Sequence, residues 1–530
     1  MACTSVNNIV YGPKPTFDVL KEANSYGEYA FKRLRARGDE VSVIDALTGE
    51  EIRASDIYAK TVRTAECLQA YGIRKGDRVG ICSDTMIEYY YIVMGTMAVG
   101  AIICPIIISW TEADMNHAFN ISCPTVFFVS KSILPTIARI AKRNPYVKDI
   151  IVFDDNAPEK PLISFKDFLA NPKVPSKPHF DCEPQDMENT IATVLLTSGT
   201  TGISKGVAIS QYNLIHFMSL DTKTYKKGLF LCVAQYSNAF GFTALMRRAF
   251  NGTRVLHLPR YDEKSYLECV QKFKVNYISV HPPLMLSLAK KPEIANYDLS
   301  SLERIYCSGT TVSVRILYQV AERLGVKVVR QFYGSSECLA VVAQSDEFCT
   351  KGSVGTLMPG IIGKVIHPET GALLGPNERG FLKFKANSTM YGYFNNPEAS
   401  KVVKDEEGYV NTGDAGYYNE RFEWFVVDRL KDIVMVDGVA VAPTEMETTI
   451  LLHPDIIDAC VIGISDGEGG EVLFAFLTKT RKEVTEKDVM DFVAEKLPYP
   501  KHLKGGCQFV DEIPKNPAGK MLRRILRGTL

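Results

Sequence analysis

Apolar runs rich in Val and Ile recur along the first 430 residues, separated by stretches whose apolar spacing is helical. DRVGICS (77–83), AIICPIII (101–108), TVFFVS (125–130) and KDIIVFD (148–154) are short and almost continuously apolar, the pattern of strands covered on both faces. YAKTVRTAECLQAYG (58–72) has the 3.6-residue period of a helix between them. The alternation predicts an α/β protein of layered, largely parallel sheets. Residues 155–188, with several Pro, Asp and Lys, predict an irregular connection. A second α/β stretch then runs to about residue 330, with YISV (277–280) and LERIYCSG (302–309) as strands. After residue 350 short strands and turns follow, as in GFLKFKA (380–386) and RFEWFVVDRL (421–430). The tail has its own order: a helix in EMETTILLHP, strands in DACVIGIS and EVLFAFLTK, and a helix in KDVMDFVAEKL. It predicts a separate small α+β unit from about residue 432.

One apolar run tests this reading. Residues 89–108, YYYIVMGTMAVGAIICPIII, carry no charge and are long enough to cross a bilayer. Gly95, Gly100 and Pro105 interrupt the run, which predicts a buried helix, a turn and a core strand. No membrane span is expected. The chain of 530 residues is too long for one core, so roughly two to four domain-sized units are expected. Its 61 Lys and Arg balance its 61 Asp and Glu, which argues against a nucleic-acid partner. Thirteen scattered cysteines with no CxxC pair predict reduced thiols in an intracellular, cytoplasmic setting. The start, MACTSVNNIVYG, lacks a secretory pattern, and the end, Arg-Gly-Thr-Leu, is not the peroxisomal Ser-Lys-Leu. Eight dispersed histidines form no ligand cluster, so neither a transition-metal site nor a haem is expected, and no flavin motif is present.

Chemistry enters with LLTSGTTGISKGVAIS (195–210). Its Gly, Ser and Thr could make a flexible linker, but strand-like sequence flanks it on both sides, so it predicts a tight strand-to-strand connection. Gly199 and Gly202 would let backbone N–H groups converge on an anion. Ser198, Thr200 and Thr201 add hydroxyls, and Lys205 adds charge. The spacing is not that of a P-loop NTPase, so the residues alone leave a phosphate-holding role open.

SGTTGISKG resembles the phosphate loop of the adenylate-forming superfamily, and further motifs follow in that family's order over nearly the whole chain. They are GDRVGI (76–81), the GA…P pair at 100–105, QFYGSSE (331–337), KGSVG (351–355), YGYFNNPEAS (391–400), NTGD (411–414), DRLKD (428–432), VAPTEME (441–447) and PKNPAGKMLRR (514–524). The resemblance is to the insect luciferase and acyl-CoA ligase branch. It implies a large AMP-binding domain (1–430), a hinge at Lys431 and a small mobile domain (432–530) that rotates between half-reactions. It also implies use of ATP and Mg²⁺ to convert a small carboxylic acid into an acyl-adenylate with loss of pyrophosphate.

The roles that the resemblance implies fall on particular positions. Loop 198–205 would hold the departing phosphates. Tyr333 would stack near adenine, with Gly309, Gln331, Phe332, Gly334 and Ser336 around the nucleotide. Glu337, with Thr200, would help hold Mg²⁺. Asp414 would accept from the ribose hydroxyls, since an ionised carboxylate only accepts, and Arg429 would lie near ribose and phosphate. Lys520 would reach the α-phosphate and the substrate carboxylate; with Lys205 and Glu337 it makes the expected catalytic set. Asn238, Phe240, Gly241, His281, Gly309, Gly334 and Ala340 are the expected acid pocket.

Departures from the family pattern cluster around the second half-reaction. After the hinge the branch reads Lys-x-Lys-Gly-x-Gln-Val-Ala-Pro, whereas this chain has Met435, Asp437 and Ala440 at the two lysines and the glutamine. Asn238 stands where a ring is common and His281 where an aliphatic is usual. Ser204 replaces the loop proline, Gln211 the following His, and SGTTVS (308–313) replaces Gly-Ala-Pro. The changes resemble a non-beetle luciferase of the glow-worm fungus-gnat type, in which the adenylate reacts with O2 and emits light. An acyl-CoA ligase, in which CoA takes the acyl group, is the alternative. Oligomeric state is not legible.

Overall fold

The computed structural model describes residues 3–153, 162–197, 204–219, 228–308, 312, 314–344, 350, 352–467, 469–480, 483–515 and 521–530, with the side chains of Ala249 and Asn251 left aside. The strands follow the apolar runs. Arg78–Cys82, Ile102–Pro105, Val126–Ser130 and Asp149–Phe153 lie parallel in an eight-stranded sheet. Leu229–Cys232, Arg254–His257, Tyr277–Val280, Arg304–Cys307 and the start of Val328–Ser335 lie parallel in a nine-stranded sheet. The α/β layering expected from the pattern is the architecture found.

The uncharged run at 89–108 is a core element. Ten of the eleven residues of helix Glu88–Ala98 are buried, so the helix is apolar all round because protein surrounds it. Gly100 then turns the chain at φ +75°, a conformation that a Cβ opposes, into the wholly buried strand Ile102–Pro105. Among the described residues no helix is long and apolar enough to cross a membrane. Helix Ala239–Asn251 joins the same core: Phe242, Leu245 and Met246 pack with Tyr26, Tyr89 and Met94. Each such side chain contributes about 1.5–3 kcal/mol of burial.

The connection at 155–188 holds more structure than its composition suggests. Strand Ile163–Ser164 pairs with Asp149–Phe153, and helix Phe165–Leu169 follows, with Ser164 accepting from the Asp167 amide as its cap. Phe165 and Phe168 anchor it against Phe128. Two apolar side chains at helical spacing were enough, amid residues otherwise typical of loops.

A six-stranded, largely antiparallel sheet includes Ile362–Ile366, Gly380–Lys385, Val410–Tyr418 and Trp424–Arg429. The small C-terminal body has a sheet of Ile456–Ser465, Glu471–Lys479 and Gly506–Phe509. Helices Pro443–Ile450 and Glu486–Lys496 cover it, and Met446, Ile450, Val461, Leu473, Val489 and Val493 form a core of their own. The two bodies touch. Lys290, ending helix Pro282–Lys290, donates to the carbonyls of Leu451 (2.8 Å) and Ile456 (2.6 Å), and the Thr444 amide donates to Asp428 (2.8 Å). The described cysteines are all unbridged.

Candidate active site

Strand Val328–Ser335 leaves the nine-stranded sheet carrying the QFYGSSE motif to the junction of two cavities. Phe332, Tyr333 and Gly334 line both. The first cavity, about 150 Å³, lies between the large body and the small one and is lined also by Asp414, Arg429, Thr444 and Glu447. The second, about 240 Å³, runs along helix Ala239–Asn251. Gly334 is required there, because a Cβ would lie 1.8 Å from the Leu339 carbonyl oxygen across the tight hairpin.

On the first cavity, the antiparallel strands Val410–Tyr418 and Trp424–Arg429 put Asp414 directly opposite Arg429. The Arg429 Nε lies 3.5 Å from Asp414 Oδ1, and the Tyr333 hydroxyl donates to Asp414 Oδ2 at 2.6 Å. Burial, then the adjoining carboxylate, push the Tyr333 phenol well above its ordinary value, so it donates at any working pH. Asp414 is itself buried, which holds this acceptor in one geometry.

A second constellation stands at the start of strand Lys205–Ser210. The Lys205 ammonium lies 4.9 Å from the centre of the Tyr393 ring, and the Tyr393 hydroxyl donates to Glu337 at 2.9 Å. Tyr393 thus joins two expected catalytic residues that are 132 positions apart; its motif is visible in the sequence, its bridging position is not. Burial and the neighbouring Glu337 raise its phenol too. Loop residues Ser198, Gly199, Thr200, Thr201 and Gly202, and likewise Gly309 and Lys520, lie outside the described residues. The loop's exit is held where His117 Nε2 meets the Ser204 carbonyl at 2.9 Å. Glu337 is the described half of the expected Mg²⁺ pair, and its carboxylate is a suitable hard oxygen donor. Among the described residues no group of three or more His, Cys, Asp or Glu is arranged to hold a metal by itself.

The remaining expected residues divide. Ser336 and Ala340 line the second cavity, as do Asn238 and Phe240. Asn238 also caps the helix, its Oδ1 accepting from the Gly241 amide at 2.8 Å. Gly241 packs against the chain behind it, where a Cβ would lie 2.0 Å from the Gln235 carbonyl oxygen. Gln331 borders the first cavity, with its amide exchanging two hydrogen bonds with the Val312 backbone. His281 lies at other cavities: it caps helix Pro282–Lys290 through Nδ1, which accepts from the Leu284 amide at 3.1 Å, and Tyr261 packs edge-on to it. Burial lowers its pKa and keeps it neutral. Lys431 lies in the short 3-10 turn Leu430–Asp432 between the bodies. The sequence reading missed Arg247 and Arg248, which line the second cavity although both are buried. A basic residue in a helix's last turn, as Arg248 is, with another just before it, is common enough to pass as surface charge.

Comparison with known proteins bears on this geometry. The AMP-binding enzyme family matches residues 31–394, and the AMP-binding enzyme C-terminal domain matches residues 445–520. A luciferin 4-monooxygenase of Photinus pyralis is 32% identical over 99% of this chain and 97% of its own length. A probable 4-coumarate–CoA ligase of Dictyostelium discoideum is 32% identical over 94% of this chain and 93% of its own. The structure of a red-emitting luciferase from Phrixothrix hirtus superposes with a TM-score of 0.73 at 30% identity, covering 98% of both chains. An anthranilate CoA ligase in complex with anthranoyl-AMP shares the fold, with a TM-score of 0.87 at 21% identity over 95% of this chain and 97% of that one.

Proposed function

This chain belongs to the AMP-binding, adenylate-forming enzyme family, and on that premise we propose that it adenylates a small carboxylic acid and then oxidises the adenylate with O2. The observation that carries the first step is the meeting of two cavities at residues 332–334, with Tyr333, Asp414 and Arg429 on one side and Lys205, Tyr393 and Glu337 nearby. ATP would bring its ribose to the first cavity, the ribose hydroxyls donating to Asp414. The acid fits the second and presents its carboxylate oxygen to the α-phosphorus. A bond forms there as the bond to the β-phosphate oxygen breaks, and pyrophosphate leaves. Lys205 and Lys520 offset the negative charge gathered in this step, so positioning and electrostatics supply the catalysis. Mg²⁺, held in part by Glu337, would neutralise phosphate charge. The small body turns about Lys431 between the two steps, bringing Lys520 in for the first.

For the second step, activation of the carboxyl makes the adjacent carbon acidic. The carbanion left after proton loss adds O2, the resulting peroxide oxygen attacks the acyl carbon and displaces AMP, and the four-membered ring so formed breaks its O–O and C–C bonds to release CO2 and an excited carbonyl product. The hairpin Val434–Val441 supports this reading over transfer to CoA: Met435 and Ala440 face each other across it and supply neither an ammonium nor an amide. Acyl transfer to CoA is the second reading, favoured by the likeness to the 4-coumarate–CoA ligase.

The test is to incubate the protein with ATP, Mg²⁺ and a panel of fatty and aromatic acids in air, following AMP, product mass and light with and without CoA. O2-dependent loss of CO2 with photons supports oxidation. Thioester formation that depends on CoA, without O2 uptake, would make the protein a ligase.

A further inference from the structure

Tyr393 is fixed by the backbone on both sides before any ligand arrives. Strand Gly392–Tyr393 extends the eight-stranded sheet at the edge formed by Lys205–Ser210, with Val207 opposite Tyr393 and Ala208 opposite Gly392. The Tyr391 and Phe394 amides donate to the carbonyls of Ala208 (2.8 Å) and Gly206 (2.7 Å). The Met390 amide donates to the Glu337 carbonyl at 2.7 Å, and the Tyr393 amide to the Ser400 hydroxyl at 2.8 Å. The Tyr393 side chain belongs to the main core, with only 8% of the residue exposed.

Two charged groups meet this one ring. The Lys205 ammonium lies over its face, 4.9 Å from the centre, and its hydroxyl donates to Glu337 Oε1 at 2.9 Å. Both charged residues are partly exposed. Lys and Glu side chains are long and flexible, and groups so placed would ordinarily reach each other. Yet among the described residues neither Lys205 nor Glu337 forms an ion pair, with the other or with any third group. Direct pairing would neutralise both charges. Held apart, the ammonium keeps its charge for phosphate. The carboxylate keeps Oε2, which no described donor covers, for a hard cation. A hydrogen bond to one oxygen of a ligating carboxylate is what orients the other.

We propose that Tyr393 is a positioning residue: its hydroxyl aims the Glu337 carboxylate at Mg²⁺, and its ring face seats the Lys205 ammonium for phosphate while keeping the two charges from pairing. The inference rests on the adenylation reading and deepens it. Tyr393 acts through Glu337 and Lys205, so its two parts have separable effects. The hydroxyl governs how much the metal adds to nucleotide binding. The ring governs how well nucleotide binds with no metal present. A phenol that only filled the core would leave the metal's contribution alone.

The test is calorimetric titration of the full chain with ATP, once in EDTA and once in Mg²⁺, with no acid present. The quantity read is the factor by which Mg²⁺ tightens ATP binding. In Tyr393→Phe that factor should fall about 10-fold, while the Kd in EDTA stays as in the wild type. In Tyr393→Leu the Kd in EDTA should also rise, by about fivefold, because Lys205 loses its seat. In Glu337→Gln the factor should fall as in Tyr393→Phe, and combining the two should lower it no further. At position 393, 4-aminophenylalanine, which returns a donor to the ring, should recover part of the factor. Thermal unfolding checks each variant.

A wild-type factor in Tyr393→Phe would overturn the proposal. So would an equal fall on adding Tyr393→Phe to Glu337→Gln, since the hydroxyl would then act elsewhere than on Glu337. Tyr393→Leu matching Tyr393→Phe in EDTA would overturn the seat for Lys205. Should Tyr393→Phe not fold, Glu337→Gln keeps the proposal falsifiable, because an undiminished factor there removes the carboxylate that the phenol is said to aim. ATP binding in the wild type that ignores Mg²⁺ would overturn this inference and leave nucleotide binding standing. No ATP binding in either buffer would overturn the adenylation reading itself.

Discussion

Lys290 is the side chain on which docking of the small body should depend most. Its ammonium bridges two backbone carbonyls of that body, those of Leu451 and Ile456, from a helix of the large body. Replacement by Met keeps the length of the chain and removes the charge. Hydrogen bonds from a charged donor contribute about 1.5–3 kcal/mol each, partly offset by the cost of desolvating the ammonium. That cost is visible in its pKa, which burial lowers from 10.5 to about 8. The net loss in Lys290→Met should be about 2 kcal/mol, which is about 30-fold in the ratio of docked to undocked molecules.

The same residue gives the docking a pH dependence of definite sign. In the proposed rotation of the small body, Lys290 would return toward its ordinary value and hold its proton up to about pH 10. Between about pH 8 and 10 the undocked state therefore binds more protons than the docked one. Raising the pH through that window strengthens docking, and below about pH 8 both states are protonated and the dependence vanishes. Distances between fluorophores placed at the exposed positions Lys264 and Lys487 by unnatural amino acids would report both effects. An unchanged distance distribution in Lys290→Met, or docking that weakens as pH rises from 8 to 10, would refute the reasoning.

Two further substitutions probe the junction of the cavities. Asp414→Asn replaces an ionised acceptor with an amide whose NH2 cannot accept from ribose or from Tyr333, so the KM for ATP should rise about 100-fold, the equivalent of about 3 kcal/mol; an unchanged KM would remove the ribose role. Gly334→Ala forces a Cβ to within 1.8 Å of the Leu339 carbonyl oxygen, a backbone obstacle, so thermal unfolding should show a loss at the upper end of the 1–3 kcal/mol typical of overpacking. Wild-type stability in that variant would mean the hairpin relaxes freely.

Where local pattern decides structure, the sequence was enough. Val- and Ile-rich runs of four to eight residues became parallel strands of four or five, and the interruption at Gly100 located a turn within an uncharged twenty-residue run, whose strand stops at Pro105, three residues before the run ends. Asp414 and Arg429, named from two separate motifs, stand side by side because consecutive antiparallel strands bring near neighbours in sequence into register. Legibility failed where a side chain's direction depends on tertiary packing. His281 sits a few residues from pocket-lining Ser279, yet capping a helix turns it to a different cavity. Arg247 and Arg248 follow an apolar run, and only the packing of that helix between layers decides that they face a cavity and not water. Tyr393 stands in a recognised motif, but its bridge between Lys205 and Glu337 exists only because three separate segments converge.

The departures at 435–440 look like three independent losses in the sequence and reduce to two causes in the fold. Val436 pairs with Val439 across a two-residue hairpin loop, and Asp437 (φ +48°) and Gly438 (φ +77°) both take the left-handed conformation that such a loop demands. Asp-Gly is a favoured pair for that turn, so Asp437 in place of lysine has a backbone reason that says nothing about chemistry. Met435 and Ala440 are another matter. They are direct cross-strand partners, Met435 is half exposed at 48%, and Ala440 is exposed too. An ammonium and an amide on these neighbouring positions would make one polar patch; a thioether and a methyl make one apolar patch. The two substitutions therefore act together on a single face. On the proposed two-step reading, the second step should respond to their combination, so restoring lysine at 435 alone would place a charge beside a methyl without restoring its polar neighbour.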